Sequence, residues 1–184
     1  MSRSLCLLLV AATLYTTAGC NKYDWAEEEG KTTEKTQVIV PSSLGLGTQE
    51  APFTVGQVLN GELASTQAWF IGYVVGSTYS TMNNAIFEAE TSYTSNILIS
   101  DTPECTSVSQ CVPVELKNSS LQQSLSLYYN HTNFRQCIVV KGRHAQYFRV
   151  HGIRDLQTGY YLPGFDISTI KPTPTEWEEW VETY

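Results

Sequence analysis

Long apolar runs, period-two segments and polar stretches succeed one another along this chain, and each change of pattern marks an element. Residues 5–15, LCLLLVAATLY, are apolar almost throughout. That run is too short to cross the roughly 30 Å hydrocarbon layer as a permanent helix. Polar residues dominate 20–50, with Gly30, Pro41, Ser42, Ser43, Gly45 and Gly47 among them, and only Val38–Val40 reads as a short edge strand. APFTVGQVLNG then opens an organised region. Thr54 caps a short helix carrying Val55, Val58 and Leu59, and Gly61 ends it. AWFIGYVVGS, 68–77, is rich in β-branched and aromatic residues, so it reads as a continuous apolar strand bent at Gly72 and Gly76. A polar stretch over 78–94 is long for a hairpin loop. SNILISD (95–101) and CVPVEL (111–116) are the second and third strands. The period then changes: Leu121, Leu125 and Tyr128 fall on one helical face, with Ser119 as the cap. QCIVVKGRHA (136–145) and FRVHGIRDL (148–156), the latter extended by GYYLP, are the last two strands.

A leading helix followed by β-β-β-α-β-β is the element order of the OB-fold, a mainly β, five-stranded barrel with a helix between strands three and four. The expected layout is a leader over 1–19, a flexible tether over 20–50 and the barrel over 51–165. A Pro/Thr spacer with an acidic aromatic tail follows over 166–184. The tail, Glu176 to Tyr184, is too short to be a stable helix by itself.

The apolar run changes meaning once its flanks are read. Arg3 gives it a positive start, and the small residues Thr17, Ala18 and Gly19 precede Cys20. That pattern reads as a secretion signal. With cysteine at the cleavage junction it resembles a bacterial lipobox, although Thr17 stands where an aliphatic residue is usual. The alternative is an ordinary secretory leader beside a chance cysteine. A lipidated Cys20, carrying palmitate-type chains worth about 0.8 kcal/mol per buried methylene, would anchor the chain to a membrane without spanning it. Asn21 after the cysteine resembles an outer-membrane destination. Glu27-Glu28-Glu29 looks like a surface-export tag or is simply a solvated tether.

Charge narrows the partners. The chain carries 11 basic and 18 acidic residues, net −7, with no Lys/Arg cluster. A phosphate-tracking, nucleic-acid-binding surface is therefore disfavoured. Aromatics at 11% with eleven tyrosines suit glycan or protein contacts, though tyrosine also packs small β cores. Five cysteines are present. Beyond Cys6 and Cys20, Cys105 and Cys111 have the spacing to close a hairpin loop with a disulfide, or remain buried thiols beside Cys137. Catalytic signatures fail throughout: there is no GxSxG elbow, no HExxH, no phosphate loop and no zinc spacing. Glu88 and Glu90 are loop carboxylates. A hairpin turning at Tyr147-Phe148 would set His144 opposite His151, but a metal would still need a third ligand such as His131 or Asp155. No metal, cofactor or catalytic residue is therefore assigned.

PFTVGQVLNGE, AWFIGYVVG, SNILISDTPE, VPVELKN and IVVKGRHAQYFRVHGI together resemble an uncharacterised OB-fold-like domain family. That family occurs in Gram-negative, gut-type surface lipoproteins and beside the catalytic part of some secreted nucleases. The resemblance runs from about Ala51 to Leu162 and rests on Trp69, Gly72 and Gly76, on Asn96–Asp101, and on Tyr147-Phe148 with Gly152. It departs at Arg143-His144 and at His151. It implies a fold and an extracytoplasmic location, with no established activity. The expected function is a non-catalytic binding module for glycan or protein. An assembly subunit docking through the tail, or a nuclease accessory, is the alternative. OB-folds bind on strands two and three and on the loops after strands one and four. Tyr79, Phe87, Tyr93, Tyr147 and Phe148 are the candidate ligand-binding residues there.

Overall fold

The computed structural model describes residues 36–61 and 63–173. Its helices are α1 (Val55–Asn60) and α2 (Ser119–Leu125). Its strands are β1 (Gln67–Tyr79), β2 (Thr81–Ile86), β3 (Asn96–Ser100), β4 (Val112–Glu115), β5 (Cys137–Tyr147) and β6 (Val150–Leu162). They hydrogen-bond in the order β2-β1-β3-β4-β6-β5, and β1 also pairs with β5. Five strands therefore close into a ring, with β4 and β6 its parallel pair. This is the mainly β, OB-fold-like barrel expected, with α2 lying between the third and fourth barrel strands.

Two apolar layers explain why the strand sequences show so little alternation. One cluster takes residues from all five barrel strands, among them Phe70, Val74, Ile97, Ile99, Val114 and Ile153, with Val55 and Val58 of α1 and Leu125 of α2. This is the barrel interior, which every strand must line. The opposite faces of β1, β3 and β5 are also covered: Ile71, Tyr73, Val75, Leu98 and Val139 join a second cluster. A strand buried on both faces reads as an unbroken apolar run.

The cover of that second face comes from segments read as linkers. Met82 of β2, Leu44 and Ile167 all belong to the outer cluster and are buried. Leu44 bridges Pro172 in parallel, and the Thr173 amide donates to the Leu44 carbonyl at 2.9 Å. The stretch expected as a flexible tether is thus packed from Pro41 onward, and the start of the expected spacer packs beside it. Val38 and Val40 form no strand and are exposed. Residues 20–35 and the tail from 174 lie outside the described residues.

Helix α1 is fully capped, which is how six residues hold a helix. The Thr54 hydroxyl accepts from the Gln57 amide while the Gln57 side chain accepts from the Thr54 amide. Asp101 takes the two remaining first-turn amides, Val55 at 2.8 Å and Gly56 at 2.7 Å. Gly61 ends the helix at φ 73°, in the left-handed region glycine favours. Helix α2 differs from expectation at its ends. Asn118, not Ser119, is its cap, and Leu127 rather than Tyr128 is buried beyond it.

The largest departure is β2. The polar 78–94 stretch contains this sixth strand, folded back on β1 through Ser80 at φ 64°. Only Met82 in it is buried, so its hydrophobic signal is too sparse to read.

Candidate functional site

The chain reverses at two places where its backbone is left-handed without glycine. Tyr147 pairs with Val150, so the β5–β6 hairpin turns on Phe148 and Arg149 alone, at φ 54° and 66°. Two-residue hairpin turns with both φ positive normally use Asn-Gly. A bulky residue held there costs about 1–2 kcal/mol. Ser80 is the third such residue, and it makes the β1–β2 reversal. These two tips face one groove of about 590 Å³, lined by residues 80–83, by Val108 and by residues 148–150. That volume lies within the usual range for small-molecule sites, about 300–1,000 Å³.

Its walls are mixed in character. Ser80, Thr81 and Asn83 offer hydroxyls and an amide, while Met82, Val108, Phe148 and Val150 are apolar. Among the described residues Arg149 is the one charged side chain in the lining, and it is exposed. The ion pairs among the described residues are Lys117–Asp155, Arg143–Asp155 and Arg154–Glu115. Arg149 joins none of them.

Of the five aromatic residues expected to bind ligand, only Phe148 lines the groove. Tyr147 stacks on Phe148 with ring centroids 4.0 Å apart, and the Arg154 guanidinium lies over the Tyr147 ring, 4.9 Å from its centroid. Its hydroxyl donates to Asn96 Oδ1 at 2.6 Å, and the Asn96 amide donates to the Thr78 carbonyl at 3.3 Å. Tyr147 therefore braces the tip from behind. Burial pushes its pKa up, and the Glu115 carboxylate adds to the shift, so the hydroxyl keeps the proton it donates. Tyr79 and Tyr93 stack on each other at 5.7 Å, and Phe87 packs against the outer cluster.

The two histidines meet, though not as direct neighbours. The turn centres one residue later than expected, so His144 pairs with Ile153 and His151 with Gln146. The rings are diagonal, stacked 5.1 Å apart, with His144 Nε2 3.0 Å from His151 Nδ1. His144 Nδ1 lies 3.1 Å from the Leu63 carbonyl, which only accepts, so that nitrogen carries the proton. In the neutral ring His144 Nε2 then accepts from His151 Nδ1. Neither suggested third ligand comes near. His131 faces the Leu127 carbonyl, and Asp155 is held by Arg143 at 2.6 Å. Among the described residues no group of three potential ligands could hold a metal.

Cys105 and Cys111 are buried thiols with sulfurs 3.5 Å apart, adjacent but unbonded. They flank the 3-10 turn Val108–Gln110 that supplies Val108 to the groove. Cys20 and the leader lie outside the described residues. No helix among the described residues is long and apolar enough to cross a membrane.

The sequence carries little signal for the groove residues other than Phe148. A turn on Phe148-Arg149 lacks the glycine or asparagine that announces one. Residues 80–83 lie at the start of β2 and just before it, where the hydrophobic pattern is sparse. The model of a domain of unknown function, DUF6359, matches residues 53–162, more than half of the chain. No curated protein matches.

Proposed function

Because the chain belongs to the DUF6359 family of domains of unknown function, its role has to be argued from its own groove, and we propose that it is an extracytoplasmic binding module held to the outer membrane by a lipid on Cys20, with no catalytic centre of its own. The single observation that carries the binding role is the grouping of strain. Among the described residues, five other than glycine have positive φ, and three of them, Ser80, Phe148 and Arg149, line one groove. Strained backbone persists where the surroundings over-determine it, and it clusters at ligand sites. The groove also lies between the loops after the first and fourth barrel strands, where OB-folds bind ligands.

A glycan fits this groove better than a nucleic acid. Hydroxyl and amide donors rim it, apolar residues suit the C–H face of a sugar, and the described lining offers a single cation where tracking a phosphate backbone needs several. The test is calorimetric titration of the Cys20→Ser chain against a panel of oligosaccharides. Saturable binding that Phe148→Ala weakens supports the reading, and silence across the panel counts against it. The anchor is tested separately: radiolabelled palmitate marks the wild-type chain in the membrane fraction, and Cys20→Ser loses both label and fraction.

A further inference from the structure

We infer that the groove takes a carboxylate-bearing saccharide, with Arg149 binding the carboxylate. This rests on the glycan-binding reading above and names the ligand's chemistry.

Among the described residues Arg149 is the one charged side chain in the lining, and none of them brings an acid to the wall. It also pairs with none of the carboxylates in the described ion pairs. Two other arginines differ from it: Arg143 is held by Asp155 and Arg154 bidentately by Glu115. Arg135, which also joins none of the described ion pairs, lies over the Phe134 ring and is not among the groove's described lining residues. Among the described residues none takes the planar fork of Arg149, which stands at the mouth of a cavity. That fork matches the two oxygens of a carboxylate in a way no neutral sugar hydroxyl can. The distributed negative charge of the chain does not cancel this, because exposed charges beyond about 8 Å are largely screened at physiological salt.

Position adds a second argument. Arg149 sits at φ 66° in a turn where asparagine or glycine would be unstrained. The backbone cost is borne by the residue that brings the charge. Beside it Ser80, Thr81 and Asn83 can hydrogen-bond ring hydroxyls, while Phe148 and Val108 offer apolar contact. A uronic-acid unit presents this combination: a carboxylate, hydroxyls and a C–H face.

Arg149→Asn separates binding from folding, since asparagine tolerates the left-handed region and the variant removes only the charge and fork. The variant should be at least as stable as the parent. Titrating the Cys20→Ser chain with tetragalacturonate should show binding that Arg149→Asn weakens about tenfold or more, the loss expected for a hydrogen bond to a charged group. Arg149→Lys should recover part of it, and added salt should weaken the parent more than the Asn variant. Methyl-esterified tetragalacturonate should bind as weakly to the parent as the acid does to Arg149→Asn. Equal binding of ester and acid overturns the carboxylate assignment while leaving the glycan reading intact. Binding of polyglutamate as tight as that of tetragalacturonate overturns the saccharide part. If oligosaccharides of every charge fail to bind, the underlying glycan reading falls with it.

Discussion

The hydroxyl of Tyr147 sits 2.6 Å from Oδ1 of Asn96, joining the end of β5 to the start of β3 across the barrel. Asn96 is buried at 2% exposure, so that oxygen has no water to turn to. The same side chain donates to Thr78, next to the β1–β2 reversal. One amide therefore connects both walls of the groove. Leaving a buried acceptor unpaired costs about 1–3 kcal/mol. Tyr147→Phe, which keeps the ring on Phe148, should lower stability by that amount in urea unfolding. Because the hydrogen bond is shared, the loss in a Tyr147→Phe, Asn96→Ala double variant should fall short of the sum of the singles.

Gly76 gives an independent handle on β2. A Cβ there would strike the Ile86 carbonyl oxygen and lie 3.2 Å from the Phe87 Cα, both of them backbone. Backbone cannot rotate away, so β2 has to leave β1. Gly76→Ala should destabilise by roughly 1–3 kcal/mol, in the range for overpacked sites. It should also weaken ligand binding, since residues 81–83 line the groove. Denaturant midpoints and titrations on the same preparation check both. Gly76→Ala with an unchanged midpoint would show that β2 is not held as described.

What was legible before the fold was known follows from these physical causes. Strands β1, β3 and β5 could be read because burial on two faces left unbroken β-branched runs such as Ile97–Ile99 and Cys137–Val140. Helix α1 could be read because Thr54 and Gly61 are the residues that cap chemistry demands. The groove could not. Its strained residues, Ser80, Phe148 and Arg149, are side chains the backbone geometry disfavours, so local propensity points away from them. Segments 41–50 and 166–173 read as linkers because each gives few apolar side chains to the outer cluster, Leu44 from the first and Ile167 and Ile170 from the second.

Asp155 predicts an acid-sensitive contribution. Hydrogen bonding to Arg143 holds its carboxyl below the usual range, and the nearby Arg143 and Lys117 charges act the same way. A depressed folded-state pKa stabilises above the unfolded carboxylate value and is lost as pH falls through the folded one. Asp155 has φ 51°, and asparagine tolerates that backbone, so Asp155→Asn removes the charge alone. The stability gap between parent and Asp155→Asn should be small near neutrality, given the exposure of the pair, and should close as the solution is acidified. Unfolding midpoints across the acid range measure it. A gap that widens toward low pH would contradict the assignment.

The three thiols should behave differently from one another, because burial and proximity act on them separately. Burial pushes the Cys137 thiol from an ordinary 9.0 up to about 12, and Cys111 is also raised by burial. Only thiolates alkylate readily, so iodoacetamide should leave Cys137 unmodified in the folded chain and label it in denaturant. Cys105 and Cys111 lie with sulfurs 3.5 Å apart and six residues apart in sequence. Exposed to an oxidising disulfide donor, they should close, leaving the chain lighter by two hydrogens and more stable by roughly 2 kcal/mol on chain-entropy grounds. The pH response of Cys137 then has a definite sign. A raised folded-state pKa contributes stability below the unfolded thiol value, and that stability is lost as pH rises from 9.0 toward about 12. Tyr73, Tyr147 and Tyr161 are also raised, from an ordinary 10.0, so they act in the same direction but begin higher. Cys137→Ala should therefore make the first part of the alkaline limb shallower, leaving Cys111 to act there and the tyrosines later. A limb identical in Cys137→Ala and the parent would mean that this thiol ionises no differently folded than unfolded.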